Sequence, residues 1–586
     1  MRSPKRLALA APVAMAALAL SACGSSSSSG GAGATPAPSG SSAASGSSAA
    51  STSAGPSAVA DAKTGGTLTF GADQEPTGFN TATDKDNGTA AQNVIESVIP
   101  NVTIGQPDLS YKFDPYLFSE PPKLISSDPE VIEYKVNPLA KWSDGVPIGL
   151  DDFKFAWTTL NGKDKGYTPA STTGYEDIGS VEATDPAKQD VKVTFAKKFG
   201  DWQSLFGVPG LYPFHIIQGL AKSDKKFGGD IHKAWYDGLD KGIPVSGGPF
   251  KLESYKTGDS AVLVRNDAYW GPKAKLDKIV IRFLPDSTTQ VPALQNKEVQ
   301  LIYPQPQLDL VSQVKQIASV TNQTSFGASF EHIDFNTKKP GLDDVMVRKA
   351  IATGLNRENI IAKTVKQFSD QAQPLGNRIW LNTQKQYEDH AGSYGKGDVA
   401  TANSMLDAAG YMKGADGIRA KGAVKLSFKF TTTAGNAIRM TTFQLFQSQM
   451  KGLGIDIQQD IRPSKVVFPD LAAHKFDIAL FAWVGTPFPV SSNKSIYVTG
   501  GGQNYGFLAD KKVDDAFTAV SGELDPAKAA AAANDIDKLL WDDMVTIPLF
   551  QKPTFVAYDS SYVNILDNST SDGPFFNAGT WGQKAG

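Results

Sequence analysis

Short stretches of period-two hydrophobicity and longer stretches of helical spacing alternate along most of the chain. Val424, Leu426, Phe428 and Phe430 alternate with Lys and Ser neighbours, which predicts a half-buried strand. Val191, Val193 and Phe195 repeat the pattern, as do Ile279, Ile281 and Phe283, each with Pro, Asp or Gly punctuation close by. After Asp525-Pro526 the period changes, and Ala529, Ala532, Ala533, Ile536, Leu539 and Leu540 recur on one face. An acid at the N-cap and a proline in the first turn fit a helix start there. A second helix is expected from Asp398, burying Ala402, Met405, Leu406 and Ala409 before Gly410 stops it. A third follows Asp343 or Asp344, with Val347, Ala350, Ile351 and Leu355 apolar. Strands and helices interleaved in this way predict a mixed α/β protein with several sheets, not a repeat array.

The first residues follow a different logic. Arg2, Lys5 and Arg6 precede an uncharged run of 14 residues, Leu7 to Leu20, and then Leu20-Ser21-Ala22-Cys23. The run is shorter than the roughly 20 residues needed to span a bilayer, so 1–22 reads as a secretory signal that is removed. Leu20 to Cys23 resemble the lipobox of bacterial lipoproteins, which implies lipidation of Cys23. Cys23 is the one cysteine of 586 residues, so it has no intramolecular disulfide partner. From Cys23 to residue 62 the chain is almost entirely Ser, Gly, Ala, Pro and Thr, a composition too poor in apolar surface to fold. It predicts a tether with a reach of about 35 Å and ordered structure from near Gly65. About 520 residues follow, enough for two to four lobes.

Net charge is −3 with acids and bases interspersed, which argues against a nucleic-acid partner. The five histidines are scattered and there is no second cysteine, so no metal site of His and Cys is expected. Ala391-Gly392-Ser393-Tyr394-Gly395 approaches a nucleophile elbow but lies between polar flanks and reads as a loop. Asp151-Asp152, Asp343-Asp344 and Asp542-Asp543 sit where acids favour helix ends. No phosphate-binding loop ending in Lys-Ser or Lys-Thr is present. The chain is therefore expected to be no enzyme and to carry no cofactor. Asp144-Gly145 and Gly247-Gly248 mark turns, Gly248-Pro249 a strand entry, and Trp270 a buried anchor.

Several segments, in order, resemble the solute-binding proteins of ABC importers in the peptide, dipeptide and nickel class, family 5. They include GGTLTFGADQEPTGFNTATD at 65–84, AKWSDGVPIGLDDFKFAW at 140–157, GGPFKLESYKTGDSAVLVRNDAYWG at 247–271 and DDVMVRKAIATGLNRENII at 343–361. ATANSMLDAAGY at 400–411, KFDIALFAW at 475–483 and IPLFQKPTFVAY at 547–558 continue the series. The resemblance implies a two-lobed α/β clamshell with two hinge strands, near 326–335 and 547–558. It implies a first lobe from 63–95, 215–325 and 549–586, an extra subdomain at 96–214, and a second lobe at 326–548. The implied function is capture of oligopeptides or peptide-like solutes by a monomer that delivers them to ABC permease and ATPase subunits. A non-transport envelope regulator on the same fold is the alternative.

In peptide-binding members of that family a tryptophan is followed three residues later by an aspartate that pairs with the peptide amine. Here the tryptophan is Trp483 and the third residue on is Thr486, whose neutral hydroxyl cannot replace a carboxylate opposite a buried ammonium. Three solutes stay open: a peptide held through another acid, a modified peptide, or a different polar molecule. The candidate cleft residues are Trp483, Thr486, Phe488, Phe79, Asn80, Asn504 and Tyr505, aromatics with amides and hydroxyls of the kind that orient a ligand.

Overall fold

The structure, a computed structural model, describes residues 61–185 and 189–585. The signal segment, Cys23 and nearly all of the tether lie outside the described residues. Among these, no helix is long and apolar enough to cross a membrane, and no group of three or more His, Cys, Asp or Glu could hold a metal ion.

Ten strands form one sheet in the order Asp456–Arg462, Ser427–Thr433, Ile478–Val484, Val320–Phe335, Thr546–Asp559, Leu301–Ile302, Thr67–Ala72, Lys278–Phe283, Ser260–Arg265 and Phe250–Lys256. The two long central strands pair antiparallel from Val320 opposite Asp559 to Asp334 opposite Thr546. Their register breaks between Phe326, opposite Pro553, and Phe330, opposite Gln551. Pro553 cannot donate to a ladder, and at the break Gln551 Nε2 instead donates to the Gly327 carbonyl at 2.8 Å. The apolar residues divide at the same place. One core gathers Leu68, Phe70, Ile279 and Ile281 with residues up to Leu301 and the end of the chain. The other gathers Ile333, Val347, Ile351, Phe430 and Ile547. Below, these are the first and second halves.

The first half carries a separate antiparallel sheet in the order Phe118–Ser127, Glu130–Val136, Val191–Phe195, Ile178–Ala183. Val191, Val193 and Phe195 point into its core as their alternation predicts. The helix Leu150–Leu160 packs beside it, and the buried Asp152 accepts from the amides of Gly149 and Phe214 at 3.2 and 3.1 Å. In the second half, Asp344, Asp398 and Asp525 each cap a helix through the side chain. Gly145 takes a φ of +93° in the turn after Asp144, where a side chain would be strained.

Two sequence expectations need correction. The alternating run from Val424 does not form one half-buried strand. Val424–Lys425 belongs to a small three-stranded sheet, whereas Ser427–Thr433 lies inside the large sheet with Thr431, Thr432 and Thr433 buried. Within the run the alternation holds, with Leu426, Phe428 and Phe430 buried and Lys425 and Lys429 exposed; Thr431 to Thr433, beyond it, are covered because strands lie on both sides. Trp270 is half-buried and donates its indole N–H to the Tyr116 carbonyl at 2.8 Å, while the neighbouring Tyr269 is the buried ring.

Candidate functional site

A cavity of about 270 Å3 lies between the halves at the level of the register break. Its aromatic floor is a cross-strand pair. Phe330 stands opposite Trp483 in the ladder between Val320–Phe335 and Ile478–Val484, which puts both side chains on one face. His332 stacks under Trp483 with ring centroids 5.8 Å apart and planes 7° from parallel. The Trp483 indole N–H has no hydrogen-bond partner, although a buried indole ordinarily finds one. The strand then turns through Gly485, and the Thr486 hydroxyl accepts the Phe488 amide at 3.0 Å. Phe488 packs on Tyr111 of the first half, centroids 4.9 Å apart. Trp483, Thr486 and Phe488 thus meet at the cavity wall.

The other four candidates do not line this wall. Phe79 and Asn80 are fully buried in the first half, Phe79 against Tyr255 and Asn80 donating to the Trp235 carbonyl at 2.7 Å. The Tyr212 hydroxyl fixes the loop by donating to the Phe79 carbonyl and accepting the Thr81 amide, so Thr81 and Ala82 reach the cavity instead. Asn504 spends its amide on the carbonyls of Val498 and Leu508. Tyr505 lies behind Trp483, centroids 5.5 Å apart, and supports that ring.

The far rim of the cavity is tied by two helix ends. The helix Pro489–Tyr497 leaves its first amides unpaired within the helix, and Asp201 of the first half accepts the Ser491 amide at 3.0 Å. At the end of the helix Lys511–Ser521, the Ser521 carbonyl accepts the Gly200 amide at 2.6 Å. Lys494 pairs with Glu176 at 2.9 Å between them.

Under the floor, the long strands carry buried charge. Glu331 accepts from Arg439 Nη2 at 2.9 Å and Nε at 3.2 Å. Lys552, on the neighbouring strand, lies 3.7 Å from Glu331 and donates to Gln305. Burial opposes ionisation of Glu331, but Arg439 and Lys552 outweigh it and hold its carboxyl below the ordinary value. Burial draws the Lys552 ammonium down to about 8 and pushes the Asp73 carboxyl, which faces Lys552, up to about 6.

Sequence reasoning passed over one wall residue of different chemistry, Asp572, in the loop after the last long strand. Only 3% of Asp572 is exposed, and burial pushes its carboxyl up to about 6. The loop's composition, LDNSTSDG, gives the ordinary signal of a solvated turn.

Comparison with known proteins agrees with this architecture. The model of the family described as "Bacterial extracellular solute-binding proteins, family 5 Middle" matches residues 112–505. The oligopeptide-binding protein OppA of Mycobacterium tuberculosis is 30% identical over 519 residues, covering 88% of this chain and 84% of the relative. The periplasmic EDTA-binding protein EppA superposes with a TM-score of 0.84 at 27% identity, covering 91% of this chain and all of that one. The oligopeptide-binding protein AppA of Bacillus subtilis, solved with a nonapeptide, superposes with a TM-score of 0.78 at 21% identity, covering 90% of this chain and 100% of that one. The fold is thus the mixed α/β fold of periplasmic binding proteins. The chain belongs to the bacterial extracellular solute-binding proteins of family 5, which bind solutes and are not enzymes.

Proposed function

We propose that the chain is a lipid-anchored receptor that encloses an oligopeptide or peptide-like solute between two lobes and hands it to an ABC importer. The observation that carries this reading is the cavity between the halves, floored by Phe330 and Trp483 and walled by hydroxyls and amides from both sides. Lobes of 63–95, 215–325 and 549–586, with a subdomain at 96–214, and of 326–548 would turn about the two long strands in a hinge motion. The register break at Gly327 supports that axis. Solute would favour the closed form by the contacts it makes with both walls at once. Oligopeptide-binding relatives support a peptide solute. A lipid on Cys23 and the tether would hold the monomer near permease and ATPase subunits, raising the local concentration of captured solute.

Calorimetric titration of the protein with defined peptides of two to nine residues tests the reading. Saturable binding is expected, and Trp483→Ala should weaken it roughly 30-fold, the cost of removing a central aromatic anchor of about 2 kcal/mol. Binding of a metal chelate with no response to any peptide would contradict the peptide assignment.

A further inference from the structure

We infer that Asp572 is the residue that receives a protonated amine of the solute, in place of the acid missing at Thr486. The inference rests on the peptide-receptor reading above and names the chemistry its cavity selects. Among the described residues that line the cavity, Asp572 is the one carboxylate, and there is no lysine, arginine or histidine. A wall of hydroxyls, amides and aromatics with one anion attracts a cation and gives an anionic solute no side chain of opposite charge.

The carboxylate is half used by the protein. Thr570 donates to its Oδ2 at 3.3 Å, the backbone amides of Gly105 and of Asp572 itself also favour the ionised carboxyl, and Oδ2 lies so close to Gly105 that a side chain there would meet it at 2.5 Å. Oδ1 is buried and has no hydrogen-bond partner. A buried, unpaired carboxylate oxygen costs free energy unless a donor arrives, and no side chain of the described residues supplies one. The cost is compounded from behind. Glu96 is also buried, and both burial and Asp572 raise its carboxyl well above the ordinary value. Glu96 has the neutral donors Gln92 and Asn101 at 2.6 and 3.1 Å and no cation.

The loop that carries Asp572 is preorganised and spans the halves. Asn568, fully buried, donates to the Gly105 carbonyl at 2.9 Å and accepts from the Thr570 amide and hydroxyl. Ser569 Oγ accepts the Ala328 amide at 3.0 Å beside the register break, and the Ser571 amide reaches the Gly485 carbonyl at 3.3 Å. Pro487 crowds the same side of Gly105 as Asp572. The acid therefore stands beside the Trp483–Phe488 turn and is supplied by the first half instead of the second.

The test compares a peptide that binds the full chain with its des-amino analogue, which lacks the α-ammonium and adds no bulk, on wild type and on Asp572→Asn. Removing the ammonium should weaken binding to wild type on the order of 100-fold, and Asp572→Asn should weaken the parent peptide comparably while hardly changing the analogue's affinity. Unfolding of the solute-free variant should be no easier than that of wild type, since the substitution removes a buried charge. Equal affinity of wild type for peptide and analogue would overturn the assignment and leave the receptor reading standing, whatever the folding of the variant. If no peptide binds wild type, both fall together.

Discussion

A Gly200→Val variant should remain folded yet bind its solute on the order of 100-fold more weakly than wild type, measured by calorimetry. A Cβ on Gly200 would sit 2.1 Å from the Glu523 carbonyl oxygen and 3.0 Å from its carbon. Both are backbone atoms, held at the end of a helix, and cannot swing aside as a side-chain tip could. The halves must separate at the rim to relieve the overlap, and that separation breaks the Gly200 amide bond to Ser521 and the Asp201 bond to the Ser491 amide. One bond of the pair is to a charged group, so the lost stabilisation is roughly 2 to 4 kcal/mol. On the proposed closure, solute binds the closed form and its apparent affinity falls with the closed fraction. The overlap is with the Glu523 backbone alone, so the far-ultraviolet spectrum of the solute-free protein should change little. An unaltered affinity would mean that the rim contacts are not part of the binding-competent form.

Glu331→Gln should destabilise the fold by about 3 to 5 kcal/mol, because it removes one partner of a buried charge cluster on the long strands and leaves the others uncompensated. Arg439 would keep its bond to Thr433 at 2.7 Å but face Lys552 with no anion between them. Asp73, whose carboxyl burial already raises to about 6, cannot take over both cations. The pH dependence has a definite sign. Glu331 titrates below its ordinary 4.5 in the folded chain, so the folded state binds this proton less readily than the unfolded chain. Its contribution is fully present above about 4.5 and is lost as pH falls through the lower folded value. Chemical denaturation of the two proteins should therefore differ most at neutral pH and converge on the acid side. A constant difference down to pH 3 would show that the loss is one of packing.

The parts of this molecule that a sequence reveals are those whose period or cap is local. The helix capped by Asp525 and the strand Val191–Phe195 announce themselves because hydrophobic spacing follows from which face meets a core. Trp483, Thr486 and Phe488 were legible as a group through the family resemblance, which marks the tryptophan of this segment and the third residue after it; Trp483 ends up in the strand Ile478–Val484 and the other two just beyond it. Loops obey no such rule. Phe79 and Asn80 lie inside the first half and Thr81 at the cavity's edge because Tyr212, more than 130 residues away, ties the backbone between them. Asp572 was invisible for the same reason. An Asp in a run of Asn, Ser and Thr looks solvated, and Gly105, which covers it, is brought beside it only by the folded chain. Gly200 likewise reads as an ordinary turn glycine until the partner helix end is placed against it.

Closure on a solute is the claim on which the rest depends, and a distance across the rim tests it most directly. With Cys23→Ser to leave the chain free of other thiols, spin labels at Lys197→Cys and Lys528→Cys occupy exposed positions on opposite halves. Pulsed dipolar measurements should give a short, narrow distance distribution in saturating peptide and a longer, broader one without it. Gly200→Val should keep the long distribution without peptide and need about 100-fold more peptide than wild type to reach the short one. Identical distributions with and without a peptide that calorimetry shows to be bound would contradict the account.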